Sequence, residues 1–216
     1  MRAIILAAGR GSRMKSLTID QPKCLIAVNG KPLLEWQISA LKAAGIDEIA
    51  IVTGYRRELL QSYGLKEFHN SGWAKTQMVT SLTCAAEWLL SGDCIVSYSD
   101  IFYEAQAIGS LIECKAELCI THDPHWEELW RQRFDDPLSD AETFRVDSEG
   151  YLLEIGGKAE TMAEINGQYM GLLKFSIDGA KKFLKTCGDL DPHIMANMHM
   201  TQLLNLMIQK YGRLIK

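Results

Sequence analysis

The stretch that most constrains the fold is Ala3 to Ala8, a nearly continuous apolar run that stops at Gly9 and then turns basic. A run of this kind is expected of a strand buried on both faces of a parallel sheet. Gly9, Gly11 and Ser12 end it, with Arg10, Arg13 and Lys15 close by. A strand that ends in such a loop leaves backbone N–H groups unpaired. Without Cβ atoms at Gly9 and Gly11, a phosphate can approach the main chain closely. Arg13 can add a bidentate charge-assisted contact and Lys23 a compact point charge. Two better-known phosphate loops are excluded. There is no G-x-x-x-x-G-K-[ST], and Met14 stands where a dinucleotide fingerprint would have its third glycine.

The longer string, Leu6-Ala7-Ala8-Gly9-x-Gly11-Ser12-Arg13 followed by Pro22-Lys23-Cys24-Leu25, resembles the signature of the nucleotidyltransferases that activate sugar phosphates and phosphocholine-type compounds. The resemblance implies a nucleotide-diphospho-sugar transferase fold: an α/β, Rossmann-like three-layer α/β/α sandwich with a mostly parallel mixed sheet. It also implies that Leu6, Ala7, Ala8, Gly9, Gly11 and Ser12 hold the nucleotide while Arg13 and Lys23 are catalytic. Ser16 departs from the pattern, which usually has proline there, but the change removes no ligand group.

Composition narrows the setting. With 216 residues, 47% of them apolar, the chain has enough material for one domain, residues 1–216, with a sizeable core. A net charge of −4 offers no general attraction to nucleic acid or anionic lipid, so phosphate binding must come from local clusters such as Arg10, Arg13 and Lys23. The six cysteines (Cys24, Cys84, Cys94, Cys114, Cys119, Cys187) form no C-x-x-C pair and read as free, small hydrophobes. No apolar run reaches the length of a signal-peptide core or a bilayer, so the expected setting is a reducing cytoplasm, without membrane, as monomer or homodimer.

Strand and helix patterns alternate through the first half. A helix carries Leu34, Ile38 and Leu41 and ends at Ala44-Gly45; Ile49–Val52 is a strand, Glu58–Tyr63 a short helix, and Lys66–Phe68 a weak strand. After a polar loop from His69 to Lys75, Gln77–Leu90 reads as one amphipathic helix, Asp93–Ser97 as a strand, Ala105–Glu113 as a helix and Leu118–Thr121 as a strand. Such alternation means βαβ units with helices on both faces of a parallel sheet. Residues 122–166 read as an insertion covering one end of the sheet, with strands at Thr143–Val146 and Tyr151–Ile155 and a loop at Gly156–Glu160. Tyr169–Phe175 returns as a buried strand, and Ile177–Lys185 and Met200–Tyr211 are helices.

Ligands of open α/β sheets bind outside the carboxyl ends of the strands. Asp100 follows one such strand, and the resemblance implies that it coordinates Mg²⁺, a hard cation that bridges phosphate oxygens. Capping the following helix is the other use for an aspartate there. The resemblance also implies a second metal ligand beyond one further strand. Leu214-Ile215-Lys216 looks like the start of that strand, so either the natural chain continues or the ligand comes from elsewhere.

His69 to Leu82 occupies the place where the family recognises the base; Gln77, Thr80 and Ser81 offer hydrogen-bonding groups, with Ser81 and Leu82 as pocket wall. On the acceptor side, Trp126 and Trp130 lie four apart on a helix face beside Glu127 and Glu128. They suit an ammonium group by cation–π attraction, or they pack the insertion against the sheet. Glu142, Glu154, Lys158 and Tyr169 fall where the family binds ribose, acceptor and phosphate. Gly171, a glycine inside a buried strand, marks either a close ligand or close packing. His122, His125, His193 and His199 have no metal-ligand spacing and read as surface or helix-end residues.

The resemblance thus implies transfer of CMP from CTP to a small phosphorylated or phosphonate acceptor, such as a phosphorylated amino-alcohol. The acceptor oxygen is already ionised, so no protein nucleophile is needed. A hexose-1-phosphate nucleotidyltransferase and a non-catalytic nucleotide-binding regulator are the alternatives.

Overall fold

The computed structural model describes residues 1–216. The chain begins with β1 (Arg2–Ala7), followed by a tiny hairpin of β2 (Ala27–Val28) and β3 (Lys31–Pro32), helix α1 (Leu33–Ala43), β4 (Ile49–Thr53) and β5 (Lys66–His69). Next come α2 (Met78–Thr83), α3 (Ala86–Leu89), β6 (Cys94–Tyr98), α4 (Ala105–Glu113), β7 (Leu118–Asp123) and α5 (Trp126–Arg133). The hairpin β8 (Glu142–Val146) and β9 (Leu152–Lys158) precedes β10 (Gln168–Phe175), α6 (Ile177–Gly188), α7 (Pro192–Asn197) and α8 (Met200–Tyr211).

Six strands form one sheet in the order β5-β4-β1-β6-β10-β7. β1, β4, β5 and β6 pair in parallel, and only β10 runs against its neighbours β6 and β7. The apolar run explains why β1 is central. Ile4, Leu6 and Ala8 enter the core on one face, beneath α2, α3, α6 and α8. Ala3, Ile5 and Ala7 enter the core on the other, beneath α1 and α4. A strand buried on both faces cannot alternate apolar with polar. The chain runs from β1 outward to β4 and β5, then returns to place β6 on the opposite side of β1. The crevice between the carboxyl ends of β1 and β6 is therefore a topological switch point.

Local signals hold where they are strong. At the end of α1, the Gly45 N–H donates to the Lys42 carbonyl and the Ile46 N–H to the Leu41 carbonyl, with Gly45 at φ +81°. This is a Schellman closure. Four expectations are corrected. Glu58–Tyr63 is two short 3₁₀ turns, Arg57–Leu59 and Gln61–Tyr63. Gln77–Leu90 breaks into α2 and α3 where Ala85 leaves helical geometry (φ −104°, ψ 25°), and the second piece is held by the Trp88 indole donating to the Ala3 carbonyl. β9 runs on to Lys158 because Gly156 and Gly157 form a bulge opposite β8 rather than a loop. Cys114 and Cys119 form a disulfide, since the reversal from α4 into β7 brings their Cα atoms to 6.6 Å; Cys24, Cys84, Cys94 and Cys187 stay free.

Helix α7 was not foreseen, although Asp191-Pro192 is a strong start signal: Asp191 accepts from the His193 and Ile194 N–H groups, and Pro192 fills the first helical position. In the segment 122–166, β7 continues to Asp123 and α5 follows. Phe144, Leu152 and Ile155 of the β8–β9 hairpin belong to the larger core. Leu214–Lys216 extends beside β7: the Ile120 N–H donates to the Lys216 carbonyl, and the Lys216 N–H to Leu118.

Candidate active site

A cavity of about 300 Å³ opens at the switch point. Gly9, Gly11, Ser12 and Arg13 contribute one wall, Lys23 and Asp100 another, and Gln77 and Ser81 a third. The loop is shaped by its glycines. Gly11 sits at φ +73°, a left-handed conformation that disfavours other residues, and a Cβ there would lie 3.0 Å from the Lys23 Cβ. The lysine stem therefore lies directly against the loop. Thr18, fully buried, staples the loop by donating to the Gly11 carbonyl at 3.1 Å.

Lys23 opens a short 3₁₀ turn after Pro22, and its Nζ donates to Asp100 Oδ2 at 2.5 Å. Asp100 lies just past β6, and the helix that follows starts only after Glu104, so the carboxylate does not cap a helix. Its only charged partner is Lys23, and both side chains remain partly open to the cavity. Beside Lys23, the Cys24 thiol is pushed up to about 12, first by burial, and stays neutral at physiological pH.

No group of three or more His, Cys, Asp or Glu side chains forms a metal cage. Asp100 supplies one accessible carboxylate, which fits Mg²⁺ of the kind that takes one or two protein carboxylates and completes its shell with waters and substrate phosphates.

The third wall is built around a residue that sequence reasoning passed over. Asn70, almost fully buried, donates from Nδ2 to Thr76 Oγ at 3.0 Å and to Ser81 Oγ at 3.1 Å, while its Oδ1 accepts from the Gly72 N–H. Gln77 is fixed through its backbone N–H, which donates to the Ala196 carbonyl, and its side chain lines the cavity. Trp73, Thr76, Met78, Tyr98 and Ser99 also line it and were missed. Tyr98 and Ser99 sit directly before Asp100, and Trp73 is the lone aromatic in a loop read as polar, so a signal existed for both places.

Several expected residues lie elsewhere. Ala7 faces the opposite core, because side chains alternate along β1. Leu82 is buried beneath the sheet, and Thr80 donates to the Met195 carbonyl, so neither forms the wall. Arg10 turns over the Tyr55 ring.

The acceptor-side set is scattered. Trp126 is buried with Ala141, Ala159 and Ile165, edge-on to the partly buried Trp130 at 5.9 Å, so the pair packs the insertion. Glu154 pairs with Arg145 at 3.5 Å, and Lys158 stands opposite Glu142 in the hairpin. None of these lines the cavity. Tyr169 sits behind it, edge-on to Tyr98 at 5.8 Å. At Gly171 (φ +76°) a Cβ would lie 2.7 Å from the Tyr98 ring, so close packing explains that glycine.

The MobA-like NTP transferase domain family matches residues 3–142. A CTP:phosphoglutamine cytidylyltransferase from Campylobacter jejuni is 42% identical, across 98% of this chain and 90% of the relative. A 2-aminoethylphosphonate cytidylyltransferase from Lancefieldella rimae is 30% identical, across 87% of this chain and 72% of its own length. The solved structure of a CTP:phosphocholine cytidylyltransferase from Streptococcus pneumoniae shares the fold, with a TM-score of 0.72 at 21% identity over 100% of this chain and 88% of that one. The glycine loop at the switch point and the matched span both lead to one conclusion: this chain belongs to the MobA-like NTP transferase family and is a nucleotidyltransferase.

Proposed function

We propose that the chain is a CTP-dependent cytidylyltransferase acting on a small, nitrogen-bearing phosphate or phosphonate. The observation that carries this reading is the shared cavity in which Arg13, Lys23 and Asp100 converge on the glycine loop. The three cytidylyltransferases above support it, since each is named for an acceptor of that class.

In the reaction, an oxygen of the acceptor phosphate attacks the α-phosphorus of CTP, the bond to the β-phosphate oxygen breaks, and pyrophosphate leaves. The attacking oxygen is already ionised near neutral pH. This suits a cavity that contains no histidine and whose nearby Cys24 thiol is neutral. Catalysis then rests on position and charge. The Gly9–Ser12 amides cradle the polyphosphate, Arg13 neutralises the departing pyrophosphate, and Lys23 spans the α-phosphate and the leaving group. Asp100 is the residue that would hold Mg²⁺, which would supply charge neutralisation. CTP binding would draw Lys23 off Asp100 and free that carboxylate for the cation.

The test is a matrix of the four ribonucleoside triphosphates against acceptors, read by pyrophosphate release in Mg²⁺. Release with CTP and a phosphorylated amino-alcohol, amino acid amide or aminoalkylphosphonate is the expected result. Turnover confined to hexose 1-phosphates, or none with any pair, would reject the assignment.

A further inference from the structure

We propose that Trp73 is the shelf on which the nucleotide's base stacks. The proposal rests on the nucleotide reading of the cavity given above. Two aromatic side chains line that cavity, Trp73 and Tyr98. Tyr98 precedes Asp100 by two residues and is wedged between Gly171 and Tyr169, which puts it at the reacting end. Trp73 stands instead on the segment that carries Thr76, Gln77 and Ser81, the polar groups available to a base edge.

The indole is held from behind. The Tyr55 ring lies 5.2 Å from it, tilted by 60°. Tyr55 is itself anchored: its hydroxyl donates to the Ile19 carbonyl, and Arg10 lies over its ring at 5.6 Å. Gly54 completes the cradle. A Cβ at this position would come within 2.5 Å of the Ala8 carbonyl oxygen and 2.6 Å of the Trp73 Cβ. Only glycine lets the end of β4 fit between the phosphate-binding strand and the indole. Trp73 is thereby fixed against the start of the phosphate loop, partly buried against the larger core and still lining the cavity. A rigid aromatic face with one side backed and one side open, beside polar groups at its edge, is how proteins hold a nucleobase.

The experiment measures CTP and inorganic tripolyphosphate binding by calorimetry, with tryptophan fluorescence in parallel, on the unaltered chain, Trp73→Ala and Trp73→Phe. Trp73→Ala should weaken CTP by about ten- to a hundredfold and leave tripolyphosphate, which has no base, unchanged. CTP should quench the fluorescence of the unaltered chain; Trp73→Phe should lose that quench while keeping most of the affinity. Equal weakening of both ligands, unchanged CTP affinity in Trp73→Ala, or a quench that survives Trp73→Phe would overturn the shelf while leaving the nucleotide assignment standing. Failure of the unaltered chain to bind either ligand would remove both.

Discussion

Two regions of the molecule treat their functional-looking side chains in opposite ways. Between β1 and β6, Arg13, Gln77 and the Lys23–Asp100 pair face a cavity, held by a backbone whose own needs are met by residues behind it, such as Thr18 and Asn70. In the 122–166 segment, the groups that looked equally suited to a ligand are consumed by the fold. Trp126 is core, Glu154 answers Arg145, and Trp130 packs beside Trp126 with Arg133 over its ring at 5.2 Å. A charged group beside glycines at a strand end stays available because nothing apolar can cover it cheaply. An aromatic pair at helical spacing is worth more buried than exposed.

Four substitutions break or sharpen that contrast. Lys23→Ala should lower turnover by about two orders of magnitude or more, with an unchanged far-ultraviolet circular dichroism spectrum; ordinary pyrophosphate release would show that the open end is not catalytic. Trp126→Ala should cost about 3–5 kcal/mol of stability, read by urea denaturation, and leave CTP affinity intact. A stable variant that had lost acceptor turnover would return the tryptophans to the binding role. Gly171→Ala introduces a Cβ at positive φ against the Tyr98 ring and should cost about 1–3 kcal/mol, visible as a lower Tm. Glu154→Ala removes one side of a half-exposed ion pair and should change stability by no more than about 1 kcal/mol. A tenfold rise in the KM for acceptor would place Glu154 in the site after all.

Cysteine reactivity adds a smaller check. Burial pushes the Cys24, Cys94 and Cys187 thiols up to about 12, so they should resist alkylation at pH 8 until the chain is unfolded, as followed by mass spectrometry.

What could be read in advance divides along a physical line. The βαβ alternation, the doubly buried β1, the closure of α1 at Gly45 and the glycine loop after β1 were all legible, because each depends on residues near one another in the chain. The misreadings came mostly where packing and chain path, rather than a local signal, decide the outcome. The bulge at Gly156 exists because Thr201 of α8 occupies the space a Cβ would need, and two adjacent glycines alone look like a loop. The Cys114–Cys119 bridge depends on a chain reversal rather than on a spacing motif. Trp73 lies in a stretch that reads as a polar loop, and its placement depends on Gly54 and Tyr55, which pack behind it.

By itself, the sequence determined that a doubly covered parallel sheet begins at Ala3 and ends in a glycine loop with Arg13 and Lys23 nearby, since backbone freedom and apolar periodicity are local properties. Tertiary structure alone decided which side chains would be left over for a ligand. It put Asp100 within reach of Lys23 across 77 residues and buried Trp126, because whether a group is paired, packed or free depends on what the rest of the chain brings to it.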